Sequence, residues 1–117
     1  MGSTKKHFYP KDHLIFSDLC KALGHPARVS IVKMLSKNEH LNCTDLQSEI
    51  ELSQSSISGH CHVLHRYGII GYEVIGNNCF YRLDNNVLDQ ITDYVDSINI
   101  EYPSITEKVY YPQRHPE

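Results

Sequence analysis

Apolar residues recur at helical spacing from the start of the chain. Over residues 12–23, Leu14, Ile15, Leu19, Ala22 and Leu23 form one stripe, with Asp18 set within it. That spacing predicts an amphipathic helix, and Gly24 supplies its C-cap. Pro26 opens a second helix in the first turn, where its missing N–H does no harm. Val29, Ile31, Val32, Met34 and Leu35 predict a wide buried face for it, and residues 36–42 a polar connection. Thr44-Asp45-Leu46-Gln47 reads as a capping box, with Thr44 as the cap and Gln47 reaching back. The short helix it starts ends near residues 49–51. Ser53 is a good N-cap for a helix from Gln54 to about Tyr67. Its inward face is Ile57, Cys61 and Leu64, and Gly68 stops it.

Two helices near 44–50 and 54–67 with a short turn between them form a helix-turn-helix pattern. The period then changes to two. Ile70, Tyr72 and Val74 alternate, and Phe80 and Arg82 alternate against Cys79, Tyr81 and Leu83. Gly76-Asn77-Asn78 lies between them, so residues 69–83 predict a β-hairpin. A hairpin in this place is a wing. Val87, Leu88, Ile91, Tyr94, Val95 and Ile98 mark a final amphipathic helix, with Asp89, Asp93 and Asp96 on its solvated side. The expected fold is therefore mainly α: four helices, a β-hairpin wing and a fifth helix, a winged helix-turn-helix. Residues 1–11 are expected to form an N-terminal arm, 12–98 the winged domain, and 99–117 a C-terminal tail with three prolines and three tyrosines.

Composition narrows the picture. A chain of 117 residues, 40% apolar and 21% charged, supports one modest core. The absence of a long apolar run or an apolar leader leads us to expect no membrane partner and a cytoplasmic setting. The formal net charge of −3 argues mildly against binding nucleic acid, because phosphate attracts cations. That charge is uneven. Residues 1–37 carry seven Lys and Arg against two acids, residues 38–83 two against five, and residues 84–117 two against seven. The helix-turn-helix and wing thus owe little to Lys or Arg, and the eight His become relevant because small shifts charge them near neutral pH. The four cysteines, Cys20, Cys43, Cys61 and Cys79, include no Cys-x-x-Cys pair. Nothing resembles a phosphate loop, a nucleophile elbow or a zincin motif, so no enzyme is expected.

Cys20 to Leu83 resembles the ArsR/SmtB family of winged-helix repressors. The resemblance rests on Leu23-Gly24-His25-Pro26-Ala27-Arg28, Cys43-Thr44-Asp45-Leu46, Leu52-Ser53-Gln54-Ser55-Ser56-Ile57-Ser58-Gly59-His60, Leu64-His65-Arg66-Tyr67-Gly68-Ile69-Ile70 and Phe80-Tyr81-Arg82-Leu83, in that order. It implies a homodimeric repressor joined through its first and last helices, and Leu14, Ile15, Leu19, Val87, Ile91, Tyr94, Val95 and Ile98 are the expected interface. It also implies that helix 54–67 enters the major groove of double-stranded DNA, that the wing touches the backbone or minor groove, and that the operator is an inverted repeat.

The expected DNA contacts follow from residue chemistry. Gln54 can pair bidentately with adenine and Ser55 can serve either base; Ser56, Ser58 and His62 extend that set. Arg66, Asn77, Asn78 and Arg82 are expected phosphate contacts, with further cations from Lys21, Arg28, Lys33 and Lys37. Ser53 is expected to cap and His60 to be structural. Gly59, His62 and His65 stand where the family often has Arg or Lys, which predicts a shallow salt dependence.

Effector sites look sparse. The family's metalloid box would need cysteines at Asn42 and Thr44, and only Cys43 lies between them. The family's last-helix metal site uses His, and residues 84–100 contain none. His60, Cys61, His62 and His65 point around the helix rather than converging. No cofactor or metal effector is expected. A thiol switch between Cys20 and Cys43 is a separate reading, giving a cysteine-based redox-responsive repressor. The alternative from another class is a winged-helix protein-interaction module with weak or lost DNA binding.

Overall fold

The computed structural model describes residues 6–99 together with residues 110, 112 and 113. Residues 1–5 of the expected arm and most of the expected 99–117 tail lie outside the described residues. After a 3-10 turn at Lys6–Phe8, helix α1 spans Lys11–Leu23. Its stripe buries Leu19 and Ala22. Gly24 caps it by donating its N–H to the Lys21 carbonyl at 3.2 Å, with an ordinary φ of −80° rather than left-handed geometry.

Helix α2 spans Pro26–Lys37 and begins as expected at proline. His25 is its N-cap, and the imidazole Nδ1 accepts from Ala27 N at 3.0 Å. The buried face is Ala27, Ile31 and Leu35. Val29, expected inside, is 53% exposed. It stands two residues from both Ala27 and Ile31, roughly 200° around the helix from each.

Helix α3 is only Cys43–Gln47, and its cap differs from the expected Thr44/Gln47 box. Asn42 Oδ1 accepts from Asp45 N and Asp45 Oδ2 accepts from Asn42 N, both at 2.9 Å. The box therefore forms two residues earlier. Asn caps at least as well as Thr. Leu41, just before it, is held extended by a bridge to Tyr81: Tyr81 N donates to Leu41 O at 2.8 Å and Leu41 N to Tyr81 O at 3.3 Å. Gln47 instead donates to Leu52 O at 3.3 Å, which fastens the turn.

Helix α4 spans Gln54–Arg66. Its expected cap is present, with Ser53 Oγ accepting from Ser56 N at 3.2 Å. Ile57, Cys61 and Leu64 are all at 0% exposure. The helix stops through paired bonds: Gly68 N donates to His65 O at 2.9 Å and Ile69 N to Leu64 O at 3.0 Å. This Schellman geometry requires the left-handed φ of +77° that Gly68 adopts. Leu64 and Ile69 bury themselves across it.

Strands β1 (Ile70–Ile75) and β2 (Asn78–Leu83) pair antiparallel, Ile70 opposite Leu83 and Ile75 opposite Asn78. The turn is Gly76-Asn77, with Gly76 at φ +64°; Asn78, expected in the turn, already pairs. The alternation expected for β1 is only partly realised. Ile70 is buried, but Tyr72 and Val74 are exposed, because the hairpin leaves the body of the protein after its first residue pairs. Asp84 N donates to Ile69 O at 3.0 Å and closes the hairpin base. Asp84 Oδ1 then accepts from Asn86 N and Val87 N, starting α5 (Asn85–Ser97).

The core joins Leu19 and Ala22 of α1, Ile31 and Leu35 of α2, Leu46 of α3, the three inward residues of α4, and Ile69, Ile70 and Tyr81. The expected winged helix-turn-helix is thus the observed one. No described helix is long and apolar enough to cross a membrane.

Candidate nucleic-acid interface

Burying Ile57, Cys61 and Leu64 leaves the opposite side of α4 to solvent. Gln54, Ser55, Ser58, His62 and Arg66 are all exposed there. Ser55 and Ser56 are partly engaged: Ser53 Oγ lies 3.2 Å from Ser55 Oγ and donates to Ser56 Oγ at 3.0 Å. This hydroxyl cluster sits on the first turn of α4, where N–H groups and the helix dipole favour an anion.

The wing stands across from that turn. A cavity of about 230 Å³ has Gln54 and Ser58 of α4 on one side and Asn77 and Asn78 of the wing on another. Asn42, Cys43 and Thr44 of the α3 start also line it. The structure thus brings four of the expected contact residues to one concavity. Asn42 and Thr44 were not legible as members of this site. Their place depends on the Leu41–Tyr81 bridge, a long-range pairing that leaves no local pattern.

Arg82 lies elsewhere. It pairs with Gly71 near the hairpin base and lines a second cavity with Ser36, Glu39 and Asn85. Four steps along the strand, about 13 Å, separate it from Asn78. Arg28, expected among the free cations, is engaged within the fold. Its Nε donates to Ala22 O, its Nη2 reaches Lys21 O at 3.5 Å, and its Nη1 lies 3.1 Å from His60 Nδ1. The His25 and His60 rings lie 4.4 Å apart. Burial, then the neighbouring His25 and Arg28, hold the His60 imidazole below its usual pKa. This group ties the α1–α2 corner to α4. His65 has a comparable fastening role, with Nδ1 3.2 Å from Ile70 O and its ring edge-on to Tyr72.

The residues expected at a dimer interface divide into three sets. Leu19 is buried in the protomer's own core. Val87 and Ile91 are partly buried against that core, and Tyr94 stacks on Phe16 at 4.1 Å. Ile15, Val95 and Ile98 are 44%, 45% and 61% exposed, and Leu14 is half-buried.

All four cysteines are free thiols. Cys20 is exposed on α1, whereas Cys43 and Cys79 are half-buried and line one cavity with Tyr81. Burial pushes the Cys61 thiol up to about 12, with Cys43 and Cys79 adding to it. Burial likewise raises the Tyr81 phenol. Among the described residues, no three His, Cys, Asp or Glu are grouped so as to hold a metal ion.

Comparison with known proteins agrees with this architecture. Residues 25–72 match the family model for bacterial regulatory proteins of the arsR family. The arsenical resistance operon repressor of Staphylococcus xylosus is 32% identical over 83 residues, covering 71% of this chain and 79% of that protein. The crystal structure of a possible transcriptional regulator for arsenical resistance superposes with a TM-score of 0.65 at 28% identity, over 72% of this chain and 86% of that one. HlyU from Vibrio cholerae superposes at 0.64 with 30% identity, over 77% of this chain and 98% of its own.

Proposed function

Because this chain belongs to the arsR family of bacterial regulatory proteins, and is a DNA-binding transcriptional regulator, we propose that it works as a homodimeric repressor on an inverted-repeat operator. In this reading α4 lies in the major groove, with Gln54, Ser55, Ser58 and His62 toward base edges and Ser56 completing the first-turn cap. Asn77 and Asn78 of the wing reach the sugar-phosphate backbone, and Arg66 neutralises phosphate at the far end of the helix; Arg82 is the remaining phosphate contact. The observation that carries the reading is the shared concavity of Gln54, Ser58, Asn77 and Asn78. An exposed helix face and a hairpin tip that share one concavity support a reading in which both engage one duplex.

Dimerisation through α1 and α5 is supported by the exposed Ile15, Val95 and Ile98 beside the Phe16–Tyr94 stack. The domain functions as a regulator in the cytoplasm, without catalytic chemistry, a resident cofactor or a metal effector. Selection from a random duplex pool tests the proposal. The expected product is a two-fold symmetric site with half-sites about one helical turn apart. Failure of the folded protein to enrich any sequence overturns it in favour of a protein-interaction module. With Arg66 and Arg82 as the reading head's cations, a dimer gives a log–log salt slope of about −4.

A further inference from the structure

The cavity that Arg82 lines carries charges of both signs beside an apolar surface. Its volume is about 420 Å³, within the roughly 300–1,000 Å³ of small-molecule sites. Ser36 from the last turn of α2 and Glu39 just after it line one part. Arg82 from the end of β2 and Asn85 from the start of α5 line another. The buried Leu35 and the half-buried Leu83 and Leu88 supply the apolar surface. Among the described residues, neither the Glu39 carboxylate nor the Arg82 guanidinium has an ion pair or a hydrogen bond. Asp84, next to Arg82 in the chain, spends its Oδ1 on the N–H groups of Asn86 and Val87. Ser36 donates its hydroxyl proton to Lys33 O at 2.6 Å and keeps its lone pairs for an incoming donor. The C-terminal end of α2 adds partial negative charge on the Glu39 side, and Lys37 of that turn does not line the cavity.

We propose that this cavity binds a free α-amino acid with an apolar side chain. The ligand carboxylate takes the fork of Arg82 and the amide of Asn85, and the ammonium donates to Glu39 and to Ser36 Oγ. The ligand side chain covers Leu35, Leu83 and Leu88. A dipolar ion answers both protein charges at once. A simple anion such as phosphate meets the Glu39 carboxylate, and a simple cation meets the Arg82 guanidinium, so each leaves one charge opposed. The consequence for DNA rests on the function proposed above, in which Arg82 contacts phosphate. An amino acid seated on Arg82 withdraws that cation, so amino acid and operator weaken each other reciprocally. A dimer that keeps only its two Arg66 side chains on phosphate has a log–log salt slope of about −2 in place of about −4.

Two readouts separate the site from its consequence. Calorimetric titration of the full-length protein with leucine should show saturable binding. Isocaproate, which lacks the ammonium, and isoamylamine, which lacks the carboxylate, should each bind about tenfold more weakly or worse. Alanine should also bind about tenfold more weakly, because it covers less of the apolar surface. Glu39→Gln, whose melting temperature shows that it folds, should lose the preference for leucine over isocaproate. Arg82→Gln should lose the preference for leucine over isoamylamine. Equal binding of leucine and isocaproate to wild type, or leucine binding unchanged by Glu39→Gln, overturns the proposal. Saturating leucine should shift the salt slope on the selected duplex in wild type and not in Glu39→Gln; an unshifted slope in both overturns the competition. If leucine binds with these preferences but no duplex is selected, the amino-acid site stands and the DNA reading fails. If a duplex is selected and leucine does not bind, the amino-acid site fails alone.

Discussion

Helices α4 and α5 have the same length, thirteen residues each, and both are amphipathic. They meet different fates. The apolar stripe of α4 is completely covered by its own chain, with Ile57, Cys61 and Leu64 at 0% exposure. No residue of α5 is fully buried, and its Val95 stays 45% exposed. The better-segregated helix is thus the less satisfied one. A stripe that finds its partner inside the protomer builds a core; a stripe that does not is left available for a second copy. The same contrast explains why the outward side of α4 is polar. With its apolar demand already met, that side is free to carry Gln, Ser and His.

Four measurements would break or sharpen this contrast. The largest effect is expected in α4: Leu64→Ala should cost about 2–5 kcal/mol of stability in urea unfolding, because it opens a cavity among fully buried neighbours. A loss under 1 kcal/mol would mean that α4 is not the keystone of the core. Next comes α5. Changing Val95 and Ile98 together to Glu should leave the fold intact and raise the dimer dissociation constant by about 30-fold or more in sedimentation equilibrium. Unfolding of the variant, rather than dissociation, would show that α5 belongs to the protomer's core. On the polar side of α4, Gln54→Ala should cost about 1–3 kcal/mol at one base position of the operator and nothing in stability. A uniform loss across sequences would reassign Gln54 to phosphate contact.

The smallest effect concerns the His25–Arg28–His60 group that holds α4 to the α1–α2 corner. The imidazole of His60 is held below its unfolded value of 6.5 by burial, then by His25 and Arg28. The unfolded chain therefore binds the proton more readily than the folded one. Stability is full above pH 6.5 and declines as pH falls below it, through the folded pKa of His60. Urea midpoints at pH 7.5 and pH 5.5 should differ less in His60→Gln than in wild type. An equal difference in both would remove His60 as the source.

Much of the fold was legible because it rests on local patterns. Pro26, Ser53, Gly68 and the three-position stripe of α4 each act within a turn or two of chain, and the structure uses them as their chemistry suggests. The departures have long-range causes. Thr44 lost the cap to Asn42 because Leu41 is committed to Tyr81, forty residues further on. The exposure of Tyr72 and Val74 comes from the projection of the hairpin, to which alternation is blind. Arg28 read as a free cation because nothing in sequence announces a guanidinium that bonds Ala22 and His60. At the candidate site, the α4 residues were readable from the side opposite the core. Asn42 and Thr44 were not, since only tertiary pairing brings them beside the wing.

The hydrogen bond from Asp84 N to Ile69 O has a consequence for how length is measured along DNA. It places the end of α4 and the start of α5 at one pivot, with Gly68 and the Asp84 cap on either side. In a two-fold pair held by α5, the distance between the two α4 helices is then set by a short rigid strut in each copy rather than by a loop. Such a molecule acts as a fixed-jaw caliper. It should accept one separation between half-sites and reject an operator lengthened by two base pairs, even where every contacted base is unchanged.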